Sequence, residues 1–423
     1  MPRSDLIGEL VGVAIDVGSE SQTGTEWPAN LDVGALLEEG WRPTAFRQFI
    51  VKVHGHCNLA CDYCYLYEMA DQGWRTRPRR MSRPVVERTA ARIAEHIRDH
   101  GLTSVDIILH GGEPLLAGVD HLRHTLATLR AAVPGGVECA LRIQTNGTLL
   151  DTPFLELLAE FDVRVGVSLD GDEAGHDRHR RRKGGRGSHA DVRAGLERLT
   201  APRYRHLFGG LLCTIDLRND PVATYEALLA FDPPMVDFHL PHGTWDTPPP
   251  GRLPGDPASP YGDWLAAVFD RWYRAPVRET RVRMFGEIIR LLLGRPSRTE
   301  SVGLSPAAMV VVETDGSLEQ VDSLKAAYDG AAATPLHVLR DAFDAALLLP
   351  PVVARQIGVR ALSERCTACA LHPVCGGGLY PHRHRAGSGF RNPSVYCPDL
   401  YRLITHIHAA VARDVAALRK GGR

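Results

Sequence analysis

Three cysteines, Cys57, Cys61 and Cys64, stand in the stretch CNLACDYC. Thiolates spaced C-x3-C-x2-C on one short loop can hold three irons of a [4Fe–4S] cube and leave the fourth iron without a protein ligand. An open position is what a catalytic metal needs. The competing reading is a zinc site that borrows His54 or His56, although zinc sites favour paired C-x2-C. A second group follows near the end of the chain: Cys366, Cys369, Cys375 and, twenty-two residues on, Cys397. Four soft ligands in a glycine-rich segment suit either zinc or a fully ligated [4Fe–4S] cluster. The two remaining cysteines, Cys139 and Cys213, fall in predicted strands and read as small buried hydrophobes.

Three short motifs accompany the first group. His110-Gly111-Gly112-Glu113-Pro114 combines glycines that allow close backbone approach with a carboxylate that can accept from an ammonium group. Gln144-Thr145-Asn146-Gly147 and Ser168-Leu169-Asp170-Gly171 have the look of Asx-type turns. The run HDRHRRRKGGR over 176–186 reads as a solvated basic loop, with nucleic-acid binding as the alternative.

These motifs need positioning. From residue 46 to about 240 the sequence alternates strands and helices: FRQFIVKVH, SVDIILH, VECALRIQ, VRVGVSL, HLFGGLLCTIDL and MVDFHL are the six strands. Alternation of this kind predicts an α/β fold with a parallel sheet, its strands apolar enough for burial on both faces. Ligands of such sheets sit at the carboxyl ends of the strands, where the cysteine loop and all three motifs fall. Ser82 is expected to cap the first helix, with Gly101 past its end. A Pro/Gly-rich stretch over 241–260 reads as a boundary or long loop. Two helices, a hairpin turning at Asp315–Gly316, the cysteine-rich segment and a C-terminal helix follow. The expected division is 1–44, 45–250, 251–300 and 301–423.

The 423 residues carry 49 basic and 50 acidic side chains, so no bulk charge draws the chain to nucleic acid or an anionic membrane. Only four residues are lysine (Lys52, Lys183, Lys325, Lys420), the other basic ones being arginine. No apolar run reaches transmembrane length and the start lacks signal-peptide regions. A cytoplasmic protein with unpaired thiols is the expectation, with no nucleic-acid or membrane partner.

The cysteine spacing, with aromatic Tyr63 just before the third cysteine, resembles the signature of the radical S-adenosylmethionine (SAM) superfamily. The resemblance implies a partial (β/α)6 barrel, SAM bound on the open iron, and its cleavage to a 5′-deoxyadenosyl radical. It places Gly111, Gly112 and Glu113 on the methionine amino group and Asn146 and Ser168 on the ribose and carboxylate side. Arg180 would face SAM or substrate. The second cysteine group resembles the SPASM extension of peptide-modifying members, which usually carries seven cysteines and two auxiliary clusters. Here Leu379 stands where one cysteine is expected, and the pair around Gly316 is missing, with Val321 at one of its positions. One auxiliary [4Fe–4S] cluster on Cys366, Cys369, Cys375 and Cys397 is therefore expected.

Residues 46–82, 237–249 and CGGGLYPHR (375–383) are similar to FxsB-type, cyclophane-forming peptide maturases. That similarity implies a ribosomally made precursor peptide as substrate and an electron donor such as a flavodoxin or ferredoxin. The radical would take a hydrogen from a side-chain β-carbon, which then joins an aromatic ring. Loss of one proton and one electron completes a carbon–carbon crosslink. Asp170, His239, His242 and Asp246 are the candidate bases. Residues 1–44 offer a place for leader contact, with edge-strand addition as a possible mode. The rival readings are a thioether-forming or epimerising maturase, a sulfatase-type maturase, and a non-catalytic iron–sulfur or zinc protein.

Overall fold

The computed structural model describes residues 26–421. One ten-stranded sheet dominates, in the order β10-β9-β8-β1-β2-β3-β4-β5-β6-β7. The strands are β1 Gln48–His54, β2 Ser104–Gly111, β3 Glu138–Thr145, β4 Arg164–Ser168, β5 Phe208–Thr214, β6 Met235–His239, β7 Arg281–Val282, β8 Met309–Val312, β9 Ser317–Glu319 and β10 Ala333–His337. The six strands expected from the sequence are β1 to β6, all parallel and paired in chain order. Helices return the chain between them, as parallel pairing requires.

Burial on both faces does not hold throughout. β2 alternates strictly, with Val105, Ile107 and Leu109 buried and Asp106 and His110, less buried, lining an internal cavity. The helix Arg83–Asp99 packs Val86, Ala90, Ile93 and Ile97 against the outer face. Its first turn holds Pro84, but the Ser82 side chain makes no capping hydrogen bond, so that expectation is corrected. Gly101 past its end has φ +56°, a left-handed stop.

Two further departures bear on the site. The hairpin expected around Asp315–Gly316 forms as β8 and β9, yet it is no separate layer: β8 pairs parallel with β1. A division at residue 301 therefore cuts through one continuous sheet. The basic run at 176–186 is not wholly a loop either, since its start lies in a helix, Glu173–His179. Asp172 caps that helix by accepting from the Gly175 amide.

The helix Cys397–Gly421 packs on Pro260–Tyr273 and Arg283–Leu292. Residues 241–259 run without helix or strand between β6 and those helices. Of the segment 1–44, residues 1–25 lie outside the described residues. Its remainder packs on the cysteine-rich end, Trp27 and Leu36 sharing a core with Tyr380 and Phe390. Cys213 is buried in β5 as expected, whereas Cys139 is only half-buried.

Candidate functional site

The sheet encloses a cavity of about 1030 Å3 lined from β1, β2, β3, β6 and the segment 296–309. At its carboxyl end, the cysteine loop follows β1 directly. Gly112 N–H donates to the His54 carbonyl and Glu113 N–H to the His56 carbonyl, both at 2.9 Å. This pairing explains both glycines. A Cβ on Gly111 would stand 2.1 Å from the His54 carbonyl oxygen, and one on Gly112 1.8 Å from the Tyr67 hydroxyl. Glu113 is fully buried and accepts from the Thr145 hydroxyl (2.7 Å), the Asn146 amide (2.8 Å) and the Leu115 amide (3.0 Å). Burial nonetheless pushes its carboxyl up to about 7. Glu113 thus braces β2 against the end of β3.

Asn146 clamps the cysteine loop. Its amide nitrogen donates to Asn58 Oδ1 at 2.8 Å and lies 3.5 Å from Cys57 Sγ, while its oxygen accepts from Thr148. Ser168 Oγ accepts from Gln144 Nε2 at 3.1 Å. Tyr63 and Arg180 meet on Asp170: the tyrosine hydroxyl donates to Asp170 Oδ2, and Arg180 Nε reaches the same oxygen at 2.8 Å. The Thr214 amide fills Asp170 Oδ1 at 2.9 Å. Burial works against charge here, yet Arg180 holds the Asp170 carboxyl below its usual range. Asp170 is an anchored counter-ion whose oxygens are taken, a poor fit to the base expected there.

Burial pushes the thiols of Cys57 and Cys61 up to about 12 and that of Cys64 to about 11. Cys375 and Cys397 are raised to about 12 and about 11 by the same cause. Such thiols ionise only against a nearby positive charge, which metal binding supplies. Among the described residues, three potential ligand atoms come within 4.8 Å of one another only at His96, His100, Asp344 and at Glu313, Glu319, Asp322. Neither cysteine group is so tight. A single tetrahedral zinc with Zn–S of about 2.3 Å would draw its sulfurs to about 3.8 Å. Around the second group, Gly376, Gly377 and Gly378 all have φ between 61° and 77°. Arg383 ties this turn by donating to the Gly376 and Gly378 carbonyls, each at 2.6 Å.

The cavity wall separates the expected bases. His239 and His242 line it. His239 Nε2 lies 3.1 Å from Asp237 Oδ2, which also pairs with Arg283 at 3.2 Å. His242 stacks edge-on to Tyr65, and burial drives its imidazole down to about 3. Asp246 does not line the cavity; it is exposed and accepts from the Ala386 amide at 2.8 Å.

Sequence reasoning missed Asp322 and His110 as wall residues. Asp322 is buried, 2.9 Å from Lys52 and 3.8 Å from His110. It belongs to a buried network in which Lys325 reaches Glu313 (2.5 Å), Glu319 (2.8 Å) and Asp322 (3.4 Å), with Arg77 at Glu313 (3.0 Å). Despite burial, Lys52 and Lys325 hold the Asp322 carboxyl below its usual range. The signal was present: Lys52 and Lys325 are two of only four lysines, set in apolar surroundings.

The Radical SAM superfamily model matches residues 51–212. The serine-type anaerobic sulfatase-maturating enzyme of Klebsiella aerogenes is 26% identical over 401 residues, covering 91% of each chain. Its Bacteroides thetaiotaomicron counterpart is 24% identical over 375 residues, 83% of this chain and 86% of that one. Among solved structures, anSMEcpe with bound AdoMet and a Cp18Cys peptide superposes with a TM-score of 0.73 at 21% identity, over 87% of this chain and 99% of that one. Streptococcus suis SuiB bound to precursor peptide SuiA gives 0.55 at 13% identity, over 92% and 84%.

Proposed function

The chain carries a radical SAM domain over residues 51–212, and from that premise we propose that it is a maturase that crosslinks a ribosomally made peptide. SAM and a [4Fe–4S] cluster on Cys57, Cys61 and Cys64 are its working cofactors; together they supply a radical able to take a hydrogen atom from carbon. Cys366, Cys369, Cys375 and Cys397 hold the auxiliary cluster.

The observation that carries the peptide reading is the cavity of about 1030 Å3 reached from the cysteine loop through Tyr65. That is ample for a few side chains of an extended peptide. Relatives solved with peptides, anSMEcpe with Cp18Cys and SuiB with SuiA, support the same substrate class. Gly111 and Gly112 let the end of β2 close on the cysteine loop, and Asn146 fixes that loop. Asp170, Arg180 and Tyr63 form one hydrogen-bonded group beside Cys61. His239, turned by Asp237, is the wall group placed to take a proton, whereas Asp322, held ionised by Lys52 and Lys325, is an anchored counter-ion like Asp170.

The carbon–carbon crosslink rests on the similarity of 46–82, 237–249 and 375–383 to cyclophane-forming maturases. The likeness to serine-type and cysteine-type sulfatase-maturating enzymes favours a second reading, modification of a single serine or cysteine, whose two-electron oxidation would leave an aldehyde. Mass spectrometry after co-expression with a candidate precursor peptide separates them. A loss of two hydrogens with no hydrazide-reactive aldehyde and no backbone fragmentation across a short segment is expected. An aldehyde, or an unchanged mass with inverted chirality, would sink the crosslink.

A further inference from the structure

The two cysteine groups are joined by a column of aromatic rings. Tyr65 follows Cys64 in the chain, and its ring meets His242 with centroids 4.6 Å apart. His242 meets His382 at 5.4 Å, and His382 meets Tyr396 at 5.0 Å. Tyr396 immediately precedes Cys397. Every step lies in the range of packed aromatic pairs. We infer that Tyr65, His242, His382 and Tyr396 form the electron path between the two cysteine groups. The inference rests on the reading above that both groups hold clusters.

Three observations single out this column. Its backbone is laced: the Tyr396 hydroxyl donates to the Pro241 carbonyl at 2.6 Å, and the Val395 amide to the His382 carbonyl at 2.8 Å. The loops bearing the rings therefore hold one another in register. The imidazoles also serve no hydrogen bond that would explain them, since His242 Nδ1 and His382 Nε2 are buried without partners. Burial disfavours the charged form of both imidazoles. Finally, Tyr65, His242 and His382 line the cavity, which elsewhere replaces packed protein by open space. Tunnelling decays faster across such space than through touching atoms. The electron lost at one reduced [4Fe–4S] site is the one gained at the other; no bond breaks and no proton moves.

The test uses the full chain, reconstituted anaerobically with iron and sulfide and reduced by photo-excited deazaflavin. Freeze-quench paramagnetic resonance follows the exchange of the electron between the two cluster signals, with SAM added to mark the open-iron one. His382→Leu and His242→Leu are expected to slow exchange by at least an order of magnitude with iron content and both signals intact, while His382→Phe, which keeps a ring, exchanges at the parental rate. The half-buried His242→Leu serves if His382→Leu does not assemble. Parental exchange in the leucine variants with both signals present overturns the column and leaves the two-cluster reading standing. Iron and signals for a single cluster in the parent overturn both.

Discussion

Asp170 shows how one buried carboxylate is fixed as an anion. It accepts from Tyr63, Arg180 and the Thr214 amide, and no solvent competes. Removing its charge in Asp170→Asn strands Arg180, itself buried, and should cost about 3–5 kcal/mol at neutral pH. Because the folded Asp170 lies below the unfolded value of about 3.9, its contribution is complete above that value and is lost as acid titrates the folded group. The gap between parent and variant in urea denaturation should therefore close as the pH falls below about 4. A gap independent of pH would show that packing, not charge, is what the substitution removes. At this scale the sequence was readable where spacing carries the meaning, as in the cysteines. It was silent on which oxygen faces which donor. Asp170 looked like a base because its partner, Arg180, is ten residues away in a run that read as solvated.

Among the elements, β8 and β9 depend on charge as much as on pairing. Glu313, Glu319 and Asp322 converge from the hairpin and its exit, and Lys52, Lys325 and Arg77 neutralise them. Lys325→Met should destabilise the fold by about 3–5 kcal/mol, since three carboxylates then face two cations. Adding Glu319→Leu restores the balance and should recover part of the loss, readable from denaturation midpoints; a purely additive double variant would refute the coupling. The parallel strands β1 to β6 were legible because each carries apolar residues bounded by a helix pattern. The partner of β8 was not. A strand only four residues long, Met309–Val312, gives no sign in its own composition that it will pair with β1, more than 250 residues earlier. The short helices around the second cysteine group escaped notice for a similar reason, with only four residues each.

For the molecule as a whole, the start of the described chain is a strap over its end. Trp27 is buried beside Tyr380 and Phe390, Arg391 lies 5.0 Å over its ring, and its carbonyl accepts from the Phe390 amide. Trp27→Ala should cost about 3 kcal/mol by cavity formation. The loss should appear as earlier melting of the 380–397 segment in hydrogen exchange, with β1 to β6 holding their protection; uniform loss across the sheet would show that the strap supports the whole fold. The ion network of β8 and β9 has a last consequence, which concerns supply. That half of the cavity wall is held by lysine, arginine and carboxylates and by pairing to β1, none of which must be delivered to the cell. On the proposed reading the wall does not depend on either cysteine segment being filled, so protein made without iron is expected to keep β8 and β9 protected from hydrogen exchange.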